Sequence, residues 1–108
     1  ESIVEINNLI GKNSYIGVAV KDGSYTKVSR INFINVNFPF ASYQKKSFYD
    51  YPYLEIFDEI QTNNFNKLII KDKNSSVKYQ NEFFKEYINK RKIIPLIYNR
   101  IEKYAESS

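Results

Sequence analysis

With no cysteine and no histidine, this chain can make no disulfide, thiolate nucleophile, imidazole general base or structural zinc site. Strong metal chemistry is left to carboxylates, whose oxygen ligands suit Mg²⁺, Mn²⁺ or Ca²⁺. Asp22 follows an alternating run, Glu55 and Glu59 lie in an amphipathic stretch, Asp72 follows the apolar run Leu68-Ile69-Ile70, and Glu102 lies near the C-terminus. A second chemistry is binding. Lys45 and Lys46 stand among Phe40, Tyr43, Phe48 and Tyr49, and Lys90-Arg91-Lys92 is a compact basic cluster. Aromatic side chains that stack bases, with cations that meet phosphates, make a surface for single-stranded nucleic acid.

The elements that must position these residues are read from periodicity. Ser2-Ile3-Val4-Glu5 has the form of a capping box, and Ile3, Ile6 and Ile10 keep helical spacing up to Gly11, so a helix is expected over 3–10. Tyr15 to Lys21 alternates as a strand and runs into Asp22-Gly23, a hairpin signal. Tyr25 to Phe38 is rich in β-branched and aromatic residues, and its phase slips between Phe33 and Ile34, where a bulge or a break is expected. The segment 38–53 reads as a loop or ragged edge strand. A helix is expected to start near Tyr53, with Leu54, Ile56, Phe57 and Ile60 as its apolar face, followed by a strand over Lys67 to Lys71 buried on both sides. Asn74-Ser75-Ser76 can cap a helix over 77–91; Lys92 to Ile94 suits a short strand, and Pro95 opens a last helix. No internal repeat is evident. The expected fold is α/β or α+β: a mixed sheet of three antiparallel N-terminal strands, then alternating helices and strands, in a single domain.

Composition bounds the function without naming it. The net charge is +4 and the aromatic content 17%, both compatible with a nucleic-acid partner. Of the 16 basic residues 13 are lysine, and Phe, Tyr, Ile, Asn and Lys supply 59 of 108 residues. An AT-rich genome produces the same bias, so half of that signal is discounted. No window reaches the roughly 18 apolar residues of a membrane span. The N-terminus lacks a basic-then-apolar signal pattern, and the residues do not assign a compartment. Because the chain opens on Glu1 rather than Met, a processed product or a domain cut from a longer protein is expected.

The element order resembles the ribonuclease H-like fold, and several residues share in the resemblance. Asp22-Gly23-Ser24 resembles the Asp-Gly-Ser of that family's first strand, Glu55 its acidic helix, Asp72 its strand ending in aspartate, and Ile101-Glu102-Lys103-Tyr104-Ala105 its C-terminal Ala-Asp-x-Leu-Ala helix. The resemblance implies a two-metal nuclease in which Asp22, Asp72 and Glu102 bind Mg²⁺ or Mn²⁺, with Glu55 or Glu59 as the fourth carboxylate. On an ideal helix Glu59 is nearer the apolar face than Glu55. Simpler roles stand beside these: a type I′ turn for Asp22-Gly23, solvent-side charges for Glu55, Glu59 and Glu102, and a loop residue for Asp72. Two further functions compete with the nuclease. One is a non-catalytic nucleic-acid-binding module, for RNA or DNA, built on Lys45, Lys46, Tyr43, Phe48, Lys90, Arg91 and Lys92. The other is an interaction or sensor domain whose partner is a protein or the rest of the parent chain.

Overall fold

A computed structural model of the protein describes residues 2–58 and 60–97. Two strands dominate it, β1 (Ser2–Lys21) and β2 (Ser24–Tyr43), each 20 residues long. A straight strand of that length would span roughly 66 Å at about 3.3 Å per residue, whereas the longest dimension of the molecule is 40 Å. Both must therefore bend. Their pairing is parallel, with Ser2 beside Ser24 and Lys21 beside Tyr43, an offset of 22 residues. Only Asp22 and Gly23 separate them, far too short a link for the crossover of a dozen or more residues that flat parallel neighbours require. Each strand instead travels once round a coil and arrives above or below its own start. The fold is a parallel β-solenoid.

The bends fall where the backbone is left-handed. Asn8 and Asn13 in β1, and Arg30 and Asn35 in β2, have φ between 53° and 62°, an arrangement that asparagine tolerates better than most L-residues. They divide each rung into three sides. The third rung repeats the division with shorter strands: β3 (Tyr53–Ile56), β4 (Ile60–Asn63) and β5 (Ile69–Lys71) each pair in parallel with successive sides of β2. Its corners, Asp58 and Asn64, again have positive φ. At one corner the asparagines form a ladder, in which Asn35 Nδ2 donates to Asn13 Oδ1 at 3.0 Å and Asn64 Nδ2 to Asn35 Oδ1 at 2.6 Å. A fourth rung begins as β6 (Ser76–Tyr79) beside β3. It then reverses through Gln80-Asn81, both with positive φ, into the antiparallel β7 (Glu82–Phe83), which closes that end.

Stacking in register places like with like. Thr26, Leu54 and Val77 form one inward column, Val28 and Ile56 the next, and Ile31, Phe33, Val36, Phe40 and Ile69 fill the remaining interior. Phe33 fits because Gly11 and Gly17 lie against its ring: a Cβ on Gly17 would sit 2.4 Å from the ring and 2.6 Å from the Pro39 carbonyl oxygen. Outside, the first side carries a row of alternating charge, Glu5, Lys27, Glu55 and Lys78. Beside it Tyr25 and Tyr53 stack at 4.6 Å with their planes 10° apart, the spacing of adjacent strands. The outer face of the third side is covered by the helix α1 (90–97), whose Ile93 and Ile97 pack on Phe38, Ala41, Tyr43 and Ile70. Tyr15 Oη donates to the Leu96 carbonyl at 2.7 Å.

This architecture corrects most of the elements expected from periodicity. The helices expected over 3–10, from Tyr53 and over 77–91 are strands, turns or extended chain as far as Asn89, after which α1 begins, and Lys92 to Ile94 is helical rather than a strand. The mixed sheet with antiparallel N-terminal strands, and with it the ribonuclease H-like order of alternating helices and strands, is replaced by a coil of mostly parallel strands. A repeat is present after all, at offsets of 22 to 29 residues. Two readings keep their place in altered form. The phase slip at Phe33-Ile34 marks the corner at Asn35, and the strand over Lys67 to Lys71 contains β5, buried on both faces by the solenoid interior and by α1.

Asn35 serves both the corner and the ladder. Asn35→Ala, which loses two hydrogen bonds and strains a positive φ, is expected to lower unfolding free energy by about 1–3 kcal/mol in urea titrations. Asn35→Gly, which keeps the backbone conformation, should cost less than the alanine variant.

Candidate functional site

One end of the third side collects most of the chemistry-bearing residues. Here β2 leaves its rung at Tyr43 and the chain runs through 44–52 before β3 begins, in place of the two-residue link between β1 and β2. The added loop is the aromatic-rich stretch. Two aspartates hold its base. Asp22, in the turn of the first rung, accepts from the Lys45 and Lys46 amides through Oδ1 at 2.7 and 3.0 Å. Asp72, in the turn of the third rung and only 3% exposed, accepts from the Gln44 amide at 2.8 Å through Oδ2 and from Ser75 at 2.9 Å through Oδ1. The loop is thus clamped by a carboxylate from the rung on either side. Asp22-Gly23, with φ of 42° and 70°, has the paired positive dihedrals of a type I′ turn, yet it links parallel rungs rather than a hairpin.

These roles bear on the carboxylate site implied by the family resemblance. Asp22 and Asp72 serve as backbone acceptors, while Glu55 lies within the charged row on the first side, between Lys27 and Lys78. Among the described residues no three acidic side chains gather as metal ligands would. Asp22, Glu55 and Asp72, the described members of that set, therefore do not share a metal position. Glu59 and Glu102 lie outside the described residues.

The basic and aromatic candidates are brought together. Gln44 Nε2 donates to the Tyr49 carbonyl at 2.5 Å, and Lys90 Nζ donates to Gln44 Oε1 at 3.0 Å, tying the first turn of α1 to the loop. Asn89 caps that turn, its Oδ1 accepting from the Arg91 amide at 2.9 Å. Lys90, Arg91 and Lys92 consequently occupy the N-terminal end of the helix, where the macrodipole disfavours cations, and not the C-terminal end where it would favour them. Phe48 is 76% exposed, with Tyr49 packed on it at 4.6 Å between centroids and Lys46 Nζ 6.0 Å from the Tyr49 ring. Tyr43 is the exception. It is 1% exposed beneath α1 and offers no ring to a ligand.

Tyr51, Lys73 and Tyr87 join the site without having been singled out in the sequence. With Asp72, Asn74 and Lys90 they line a hollow of about 260 Å³. Asn74 Nδ2 donates to Tyr51 Oη at 3.4 Å. A neighbouring hollow of about 170 Å³, between β5 and the chain at 84–88, shares Tyr87 and reaches Lys71. Lys71 donates to the carbonyls of Asp72 and Lys73 at 2.7 and 3.3 Å, with its Nζ 5.8 Å from the Tyr87 ring. Burial lowers its pKa below the ordinary 10.5, partly offset by Asp72. Across 44–51, 71–74 and 90–92 there are seven basic residues and two acidic ones, so the site is strongly positive.

Two outcomes follow from this geometry. Asp72→Ala strands two amides, one of them in a buried turn, and is expected to destabilise the fold by about 2–4 kcal/mol; Asp72→Asn, which retains one acceptor, should cost about half as much. For Lys71 the folded state sheds its proton before the unfolded chain does, so its contribution to stability rises as pH climbs from the lowered value toward 10.5. Tyr53 acts in the opposite sense. Burial first, then Tyr25 and Glu55, raise its pKa above 10.0, so stability falls where only the unfolded chain ionises. Urea midpoints measured from neutral to alkaline pH should show the alkaline gain in the wild type and lose it in Lys71→Met.

No protein-family model, no curated protein and no solved structure matches this chain.

Proposed function

We propose that the protein is a non-catalytic binding module for single-stranded nucleic acid, with the loop 44–52, the turn 72–74 and the first turn of α1 as its binding surface. The observation that carries this reading is the convergence of exposed rings with cations. Phe48, Tyr49, Tyr51 and Tyr87 lie exposed beside Lys45, Lys46, Lys73, Lys90, Arg91 and Lys92, although they come from three separate stretches of chain. Exposed rings give successive bases a sequence-tolerant stacking platform, and the lysines track the phosphates. The first turn of α1 supports the same partner. Three cations at the positive end of a helix work against its macrodipole, and a phosphate placed there relieves that conflict. With one arginine among these residues, bidentate reading of base edges plays little part, so the preference is for single strands over any particular sequence.

Binding of this kind needs no metal ion. Fluorescence anisotropy with labelled oligo-dT and oligo-rU should give an affinity that falls steeply with salt, with a log–log slope near −3 if about four phosphates are engaged. Phe48→Ala combined with Tyr49→Ala should weaken binding roughly tenfold or more while leaving that slope nearly unchanged. Lys90→Glu with Lys92→Glu should flatten the slope. Salt-insensitive binding, or none, would sink the proposal, and an aromatic variant that lost only affinity for a protein partner would point to the loop as a protein-docking surface.

A further inference from the structure

Lys71 is a buried charge that the nucleic-acid surface leaves unused. Phe40 and Ile69 pair across neighbouring rungs with both side chains in the core, and side chains two residues on share that direction, so Ser42 and Lys71 take inward positions as well. In that column Val20, Ser42 and Lys71 are 4%, 0% and 5% exposed. A lysine so enclosed is ordinarily paired with a carboxylate. Lys71 has none in contact. Its ammonium meets the carbonyls of Asp72 and Lys73 and faces the Tyr87 ring, while Asp72 directs its two carboxylate oxygens at the Gln44 and Ser75 amides. Burial accordingly holds the Lys71 pKa below its ordinary value, with Asp72 offsetting only part of the effect.

The hollow of about 170 Å³ between β5 and 84–88 is lined by this lysine. Its walls include Leu68, Phe84 and Ile88, all half-buried, and the Tyr87 ring; Lys67 and Glu86, both exposed, add charges of opposite sign. A cavity of about 150 Å³ is enough for a benzene ring. From this we infer that the hollow is a binding site for a small monocarboxylic acid with an apolar body, whose carboxylate pairs with Lys71 while its body packs on Leu68, Phe84 and Ile88. The donor count selects the anion. An ammonium carries three N–H groups, and the Asp72 and Lys73 carbonyls occupy two of those on Lys71. One remains, which suits a single carboxylate oxygen and leaves a phosphate dianion short of donors. The hollow shares only Tyr87 with the nucleic-acid surface, so occupancy of one does not require the other.

The test is isothermal titration calorimetry at neutral pH with sodium benzoate and sodium hexanoate, beside benzamide, hexanamide and acetate, and ¹⁵N-resolved chemical-shift mapping of the wild-type chain. At least one of the two acids should bind roughly tenfold tighter or more than its own amide, because only the acid offers Lys71 a charge-assisted hydrogen bond. Acetate, which lacks the apolar body, should bind more weakly than either acid. In Lys71→Met, checked for an unchanged far-UV circular dichroism spectrum, the preference for acid over amide should vanish. Should that variant fail to fold, the shift map decides on the wild type alone, with the changes expected over 67–71 and 84–88. Absence of binding by both acids, equal affinity for acid and amide, acetate binding as tightly as benzoate, an undiminished preference in Lys71→Met, or shifts confined to other parts of the chain would each overturn the inference.

Discussion

Everything in this molecule depends on the chain turning a corner at fixed intervals without breaking its pairing to the rung beside it. A parallel ladder tolerates no drift between neighbours, so a bend in one rung must be matched by a bend at the same place in the next. Left-handed residues supply these bends: Asn8 and Arg30 at one corner, Asn13 and Asn35 at another, with Asp58 and Asn64 continuing them into the third rung. Side-chain amides of Asn13, Asn35 and Asn64 bond along the stack, so conformational strain at the corner is offset by hydrogen bonds between corners. Cooperation of this kind is confined to adjacent rungs, as in other quasi-one-dimensional folds.

Once register is held, the interior and the surface follow from it. Inward columns are apolar and close over Phe33 where Gly11 and Gly17 leave room. Outward columns are free to diversify, and on the first side they become a charged row and a tyrosine stack. The strict register also explains why the candidate binding surface lies where it does. Extra residues can enter a solenoid only between its paired sides, and 44–52 enters where a rung ends. Asp22 and Asp72, in the turns before and after, hold its base, while α1 is drawn against the same side by the apolar outer face of Phe38, Ala41, Tyr43 and Ile70. The lysines of the helix and the rings of the loop become neighbours through that packing, with Lys90 tied to Gln44.

Part of this was legible in the residues themselves. The alternation of Tyr15 to Lys21, the two-sided burial of Ile69 and Ile70, the positive-φ chemistry of Asp22-Gly23 and the slip between Phe33 and Ile34 are local signals, and each has a structural counterpart. Other local signals misled. Ile3, Ile6 and Ile10 have helical spacing but no common face, since Ile3 and Ile10 are exposed while Ile6 packs on the core; Leu54, Ile56 and Ile60 share the interior across a corner at Asp58 that resets the phase of the strand. The abundance of asparagine, attributed to base composition, has a use in the fold, since Asn8, Asn13, Asn35, Asn64 and Asn81 all occupy left-handed positions. Their spacing was the available sign of a repeat, obscured because the offset changes from 22 to 28 residues where the loop enters and to 29 beyond the corner at Asp58.

The sequence by itself determined which chemistries are closed to this protein, where its strong strands lie, and that rings and lysines are plentiful near 38–53 and 90–92. Those are properties of residue type and short-range spacing, which no fold can alter. Only the tertiary structure decided that Asp22 and Asp72 would spend their oxygens on the amides of a neighbouring rung, that Tyr43 would be buried while Phe48 was not, and that Gln44 and Lys90, 46 residues apart, would meet through a hydrogen bond. The reason is that parallel stacking joins each residue to partners a whole rung away, and neither the length of a rung nor the position of its corners is encoded in any one window of the chain.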